Sequence, residues 1–221
     1  RIFSMSSDGG RAAMPSSSQA RYAIATVTAV GKDLALTLRE KLGKEIPIYK
    51  TPRLADDRVI AIEGRVIEAL GQLFQEVDVL ICIMAIGAVV RAIAPVLKDK
   101  ASDPAVVVMD EKATNVISLL SGHLGGANQV TRDIAELLGS NPVITTATDV
   151  QNVTALDNLA QSVNGWRPEL REFIKPFNSY LGSGRTVYFY QEKDWVTDLR
   201  GLTLVDEEEL PAVLKGKDPL I

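Results

Sequence analysis

From Asp78 to Val90 the chain reads DVLICIMAIGAVV, and after the opening aspartate no residue in it carries a charge. A strand with one wet face alternates apolar and polar residues. A strand that is apolar at every position has no side to turn to water, and such strands belong to the middle of parallel sheets covered by helices on both faces. The run therefore demands two helical layers and points to an α/β fold. Val79 to Val90, broken by Gly87, falls well short of the roughly 20 residues that a membrane-spanning helix needs. It is expected to be a buried strand that enters a short helix at Gly87, with Arg91 on that helix.

The flanking sequence supplies the layers. Tyr22 to Thr28 alternates and is rich in β-branched residues; Leu34, Leu38 and Leu42 then recur at helical spacing, closed by Gly43. Short extended pieces follow at Ile46 to Tyr49 and Val59 to Ile62, and Val66, Ile67, Leu70, Leu73 and Phe74 trace a second helical stripe. Ala105 to Met109 and Asn115 to Leu120 are strand-like runs separated by Asp110 to Thr114, a polar connection of hairpin length, so one antiparallel pair joins the sheet. From Ala127, Val130, Ile134, Leu137 and Leu138 form a helical face that ends at Gly139. The reading is a three-layer, mostly parallel, Rossmann-like sheet with one antiparallel hairpin.

Beyond residue 140 the composition shifts. A strand at Val143 to Thr145, helices at 154–163 and 170–180, and strands at Thr186 to Tyr190 and Leu202 to Val205 make a smaller second α/β lobe. Gly165 to Pro168 reads as a boundary-type turn. The expected division is a tag or tail at 1–19, Ser/Gly-rich and without a signal peptide's apolar segment, an N-terminal α/β domain at 20–140 and a smaller α/β domain at 141–221. The final stretch from Asp206 to Ile221 reads as a truncation edge.

A net charge of −4 offers no general attraction to nucleic acid or anionic membrane, so an acidic ligand must meet locally placed cations. The single cysteine, Cys82, lies inside the apolar run, which excludes a disulfide framework or a sulfur metal site and fits a reducing cytoplasm. The single histidine lies in Ser121-Gly122-His123-Leu124-Gly125-Gly126-Ala127-Asn128, where a strand stops and a helix starts. Glycines there permit positive φ and close approach to helix-start amides, an anion-binding arrangement, or serve only the turn. The spacing matches neither the dinucleotide fingerprint nor the phosphate loop. His123 reads either as a turn residue bonded to a nearby carbonyl or, kept neutral by the helix N-terminus, as a base. Arg91 is either a solvated charge or a ligand contact near a strand exit. Thr145 to Asp149 either cap the next helix or face a cleft. Asp103 and Asp110 read as turn formers, with catalytic use as the lesser alternative.

Four segments together resemble the cobalamin biosynthesis protein G family, the cobalt-precorrin-5A hydrolases: G-x-x-V-R at Gly87 to Arg91, K-D-K-x-x-D-P at Lys98 to Pro104, S-G-H-L-G-G-A-N at Ser121 to Asn128 and P-V-I-T-T-A-T-D at Pro142 to Asp149. The resemblance implies opening of the δ-lactone of cobalt-precorrin-5A with release of acetaldehyde to give cobalt-precorrin-5B, in anaerobic cobalamin biosynthesis. It also implies a further C-terminal domain, which a chain ending at Ile221 is expected to lack. Lactone hydrolysis needs a base, oxyanion donors and substrate anchors. The expected assignment is His123 as base, the Gly125 and Gly126 amides as oxyanion donors and Asp149 as the carboxylate that orients the base. Gly87, Arg91, Ser121, Asn128, Thr146 and Thr148 would hold the substrate. No cofactor of the protein's own is expected, because cobalt arrives inside the corrinoid substrate and there is no Cys/His cluster to bind a metal. Expected partners are that substrate and other enzymes of the cobalamin pathway, with no nucleic acid and no membrane. The rival readings are a non-catalytic corrinoid- or anion-binding module and a nucleotide-binding Rossmann-like enzyme.

Overall fold

A computed structural model describes residues 20–54, 56–99, 102–123, 125–163, 165 and 168–221. The expected tail at 1–19, Lys100 and Ala101, Leu124, and Trp166 and Arg167 of the boundary turn lie outside them. Contacts divide the described chain into a unit ending at Ile144 and a unit of Thr145–Ile221.

The first unit runs β1 (Tyr22–Thr26), α1 (Ala29–Leu42), β2 (Ile48–Lys50), β3 (Ile60–Ala61), α2 (Val66–Glu76), β4 (Val79–Ile83), α3 (Ile86–Ile93), β5 (Ala105–Met109), β6 (Asn115–Leu120), α4 (Ala127–Leu138) and β7 (Asn141–Val143). The sheet order is β3-β2-β1-β4-β5-β6-β7. Strands β1 to β5 are parallel, β5 and β6 are antiparallel, and β6 and β7 are parallel, so the last two strands oppose the other five. The mostly parallel sheet with one antiparallel pair is the one the sequence implies. The sheet continues through β7, past the division expected at residue 140.

Strand β4 carries out what its composition requires. Val79, Ile81 and Ile83 pack on one face with Ala35 and Leu38 of α1 and Ala127 and Ile134 of α4. Leu80 and Cys82 pack on the other with Leu70 and Phe74 of α2 and Val89 and Ile93 of α3. Period-2 side-chain alternation thus divides one apolar strand between two cores. Asp78, just before β4, accepts the Arg21 backbone N–H at 2.8 Å and its guanidinium at 2.9 Å, pinning the starts of β1 and β4 together. That guanidinium holds the Asp78 carboxyl below the usual carboxylate range.

The second unit contains α5 (Ala147–Val150), α6 (Leu156–Ser162), α7 (Arg171–Gly182, with Pro176 inside it), β8 (Tyr188–Phe189), β9 (Thr203–Leu204) and α8 (Leu210–Val213). Strands β8 and β9 pair in parallel, and the last residues join them: the Ile221 N–H donates to the Tyr188 carbonyl at 3.0 Å. Phe189 packs with Leu159 and Val196. No helix among the described residues is long and apolar enough to cross a membrane.

Two outcomes are expected. Burial pushes the Cys82 thiol up to about 12, so Cys82 should resist a thiol reagent in the native state and react stoichiometrically only after denaturation. Asp78 binds its proton more weakly when folded than when unfolded, so its contribution to stability is complete above the unfolded value of about 3.9 and fades as pH falls through the lowered folded value. Asp78→Asn should flatten the acid limb of a stability-versus-pH curve measured by denaturant unfolding.

Candidate active site

The direction of β6 decides where the glycine-rich loop lies. Leu120, the last residue of β6, pairs with Val106 near the start of β5. A Cβ built on Gly125 would stand 3.2 Å from the backbone nitrogen of Ala105, the first residue of β5. The loop therefore sits at the amino-terminal edge of the five parallel strands.

Its first residue, Ser121, has a φ of 56°. A non-glycine residue in that left-handed region costs about 1–2 kcal/mol. The Ser121 hydroxyl is buried and has no hydrogen-bond partner among the described residues. Backbone strain and an unmet polar group at one residue are marks of a functional position. Gly125 makes this packing possible, because a Cβ on it would fall 2.4 Å from the Ser121 Cβ and 2.7 Å from the Ser121 carbonyl oxygen. Gly126, with φ of 81°, turns the chain into α4.

The loop folds back over the start of that helix. The N–H of Gly126 donates to the His123 carbonyl at 2.9 Å, that of Ala127 to Ser121 at 3.2 Å and that of Asn128 to Gly122 at 3.0 Å. This corrects the expectation of an outward-aimed Gly126 amide: the loop's own carbonyls already cap α4. His123 is half-buried within this turn. Asn128 is buried, and its Oδ1 accepts the Ser118 hydroxyl proton at 2.7 Å. The sequence reading passed over Ser118, although a lone hydroxyl inside the apolar run Val116 to Leu120 was the available signal.

Gly87 is not gathered with this loop. It lies in the first turn of α3, beyond the carboxyl end of β4. The five residues of β4 put about 16 Å between the two edges of the sheet. Arg91 is exposed and turns its Nη1 back to the Gly87 carbonyl at 3.0 Å. The hairpin after β5 reverses chain polarity, so strand exits before and after it face opposite edges.

Thr146, Thr148 and Asp149 belong to the second unit, around α5. The Thr146 hydroxyl donates to Asp149 Oδ2 at 2.5 Å, and the buried Thr148 accepts the Val153 N–H at its carbonyl. Asp103 accepts the Lys98 N–H. Burial pushes the Asp110 carboxyl upward, but the N–H groups of Asn115, Thr114 and Lys112 outweigh it and hold the carboxyl below the usual range. Both aspartates form turns. A groove in the second unit, lined by residues such as Phe177, Tyr180 and Leu214, contains none of the expected site residues.

Residues 68–149 match the family described as Cobalamin synthesis G N-terminal. A cobalt-precorrin-5A hydrolase of Salmonella typhimurium is 40% identical over 184 residues, which are 80% of this chain and 52% of that protein. Another, from Priestia megaterium, is 38% identical over 189 residues, 82% of this chain and 50% of that protein. A solved structure described as a cobalamin biosynthesis protein G homolog from Sulfolobus solfataricus covers 83% of this chain and 52% of its own, with a TM-score of 0.52 at 23% identity, and speaks for the α/β fold alone. The chain spans about half the length of the curated relatives it matches.

Gly125 and Gly126 should respond differently to alanine. Gly125→Ala must push the Ser121 backbone aside and should move the amide resonances of residues 121–128 as a group. Gly126→Ala meets no atom within 4 Å, so it bears only the left-handed backbone penalty of about 1–2 kcal/mol. Denaturant unfolding and ¹H–¹⁵N spectra of the two variants check this.

Proposed function

Because residues 68–149 match the Cobalamin synthesis G N-terminal family, we propose that the protein acts in opening the δ-lactone of cobalt-precorrin-5A, with release of acetaldehyde and formation of cobalt-precorrin-5B. The observation that carries this reading is the strained loop at the start of α4, which lies inside the matched segment and joins a half-buried imidazole to a buried hydroxyl with no partner among the described residues. Cobalt enters as part of the substrate.

Lactone opening begins with water attacking the ring carbonyl. His123 takes the proton from that water, and charge gathers on the carbonyl oxygen as the tetrahedral intermediate forms. Ser121 supplies a hydroxyl proton for which no described residue is an acceptor. The Gly126 amide can join it only when its bond to the His123 carbonyl opens. Asn128, held by Ser118, supports the loop from below and positions both groups. Arg91, on α3 at the opposite edge of the sheet, is given no contact with this substrate.

The test is single-turnover release of acetaldehyde from cobalt-precorrin-5A. His123→Ala should slow it by about 10²–10⁴-fold, the usual contribution of a general base, with corrinoid affinity little changed. A rate within a few-fold of the unsubstituted protein would remove His123 from the mechanism. Tight corrinoid binding with no acetaldehyde from the unsubstituted protein would make this chain a binding module.

A further inference from the structure

The carboxyl edge of the parallel strands, opposite the 121–126 loop, holds a polar cluster that lactone hydrolysis does not use. The chain lays β2 and β3 on one side of β1, then crosses to β4 and β5 on the other. Where strand order reverses in this way, the turns leaving the two neighbouring strands diverge and leave a crevice outside their carboxyl ends. Here those turns are Val27–Thr28 after β1 and Met84–Ala85 after β4. Val30 and Ile86, in the first turns of α1 and α3, are apolar side chains exposed to 55% and 42%.

Lys50, the last residue of β2, is completely buried. Its Nζ donates to the Thr28 carbonyl, the one acceptor it finds among the described residues. An ammonium carries three donors, so this site undersupplies it. Burial first, and then the Lys32 ammonium, hold the Lys50 amine below the usual lysine range. The Thr28 hydroxyl accepts the Gly31 N–H at 3.0 Å, which leaves its own proton to be donated outward. That proton goes to the carboxylate of Glu111, which reaches across the end of β4 from the hairpin between β5 and β6. Gly31 gives the corner its room, since a Cβ there would fall 2.1 Å from Thr26 Oγ1 and 3.1 Å from Thr28 Oγ1.

We propose that this crevice is a second ligand site, that it takes a carboxylate, and that Glu111 fills the carboxylate's place in the free protein. The Thr28 hydroxyl, in the turn after β1, presents its proton outward, and the Lys50 amine buried behind the Thr28 carbonyl places a cationic group next to it; the chemistry that complements this corner is an acceptor-only carboxylate. Lys32, paired with Asp56 at 2.8 Å, adds a cation at the rim. Glu111 sits on the short Asp110–Thr114 turn, so it can swing away while the strands on either side stay paired. A ligand carboxylate then exchanges one charge-assisted hydrogen bond for another, with the exposed Val30 and Ile86 side chains receiving its apolar part. The tethered glutamate acts as an intramolecular competitor and weakens apparent affinity for any free carboxylate. The site lies on the edge away from His123 and stands or falls separately from the hydrolase reading.

The test is titration of the ¹⁵N-labelled chain, in parallel, with tricarballylate, a small tricarboxylate, and with uroporphyrin, a carboxylated tetrapyrrole. The amides of Thr28, Gly31 and Lys32 should shift with at least one of the two. Response to tricarballylate alone identifies a free small carboxylate as the ligand, and response to uroporphyrin a macrocycle side chain. Glu111→Ala should tighten the responding probe by about tenfold, the factor expected when a tethered competitor is removed. Lys50→Met, of similar shape, should weaken it at least as much. If Lys50→Met does not fold, Thr28→Val must produce the weakening instead. No shift at residues 28–32 up to about 10 mM probe, a Glu111→Ala affinity equal to that of the unsubstituted chain, or shifts confined to residues 122–128 would overturn the proposal.

Discussion

Strand β4 tolerates water on neither face, and the first unit is arranged around that requirement. Its odd-numbered residues need α1 and α4, its even-numbered residues need α2 and α3, and neither pair of helices can be spared without exposing isoleucine or leucine. A fully buried aliphatic side chain contributes about 1.5–3 kcal/mol, so the five residues of β4 are a large share of what keeps a marginally stable domain folded. Arg21 and Asp78 fix its register against β1 where the strands begin. The rigidity of this centre allows loops at both ends of the sheet to hold strained or underbonded groups.

The hairpin between β5 and β6 then determines which groups can meet. In an all-parallel sheet every strand exit would open on the same edge, and Gly87 and the His123 loop would share one cleft. The reversal at Asp110–Thr114 sends the exits of β6 and β7 to the other edge. One edge carries Ser121 and His123 over the start of α4; the other carries Lys50, Thr28 and Glu111 at the point where strand order reverses. A ligand at one edge would meet different groups from a ligand at the other. The same turn that separates the edges also carries Glu111 to Thr28.

Much of this was legible in the chain. The uninterrupted apolar run of β4, the polar hairpin linker and the Gly43 and Gly139 helix ends follow from local periodicity and backbone preference, and they fall where the sequence puts them. The S-G-H-L-G-G-A-N segment was legible as a strand-to-helix turn of chemical interest. Its amide arrangement was not, because whether a helix-start N–H faces outward or meets a loop carbonyl depends on how the loop folds back. The hairpin was recognised, but its consequence for Gly87 and Arg91 concerns strand direction across the whole sheet. Lys50 left no local trace: a lysine ending a short strand reads as solvated, and Thr28 and Glu111 stand 83 residues apart.

The sequence alone therefore determined the layers, the strand and helix types and the family that residues 68–149 match, since these rest on short-range pattern and on motif identity. Only the tertiary structure decided which edge each loop occupies, that Ser121 is strained and its hydroxyl has no partner among the described residues, and that Lys50 is buried beside Thr28. Those outcomes depend on strand order and polarity, which bring together groups that no periodicity relates.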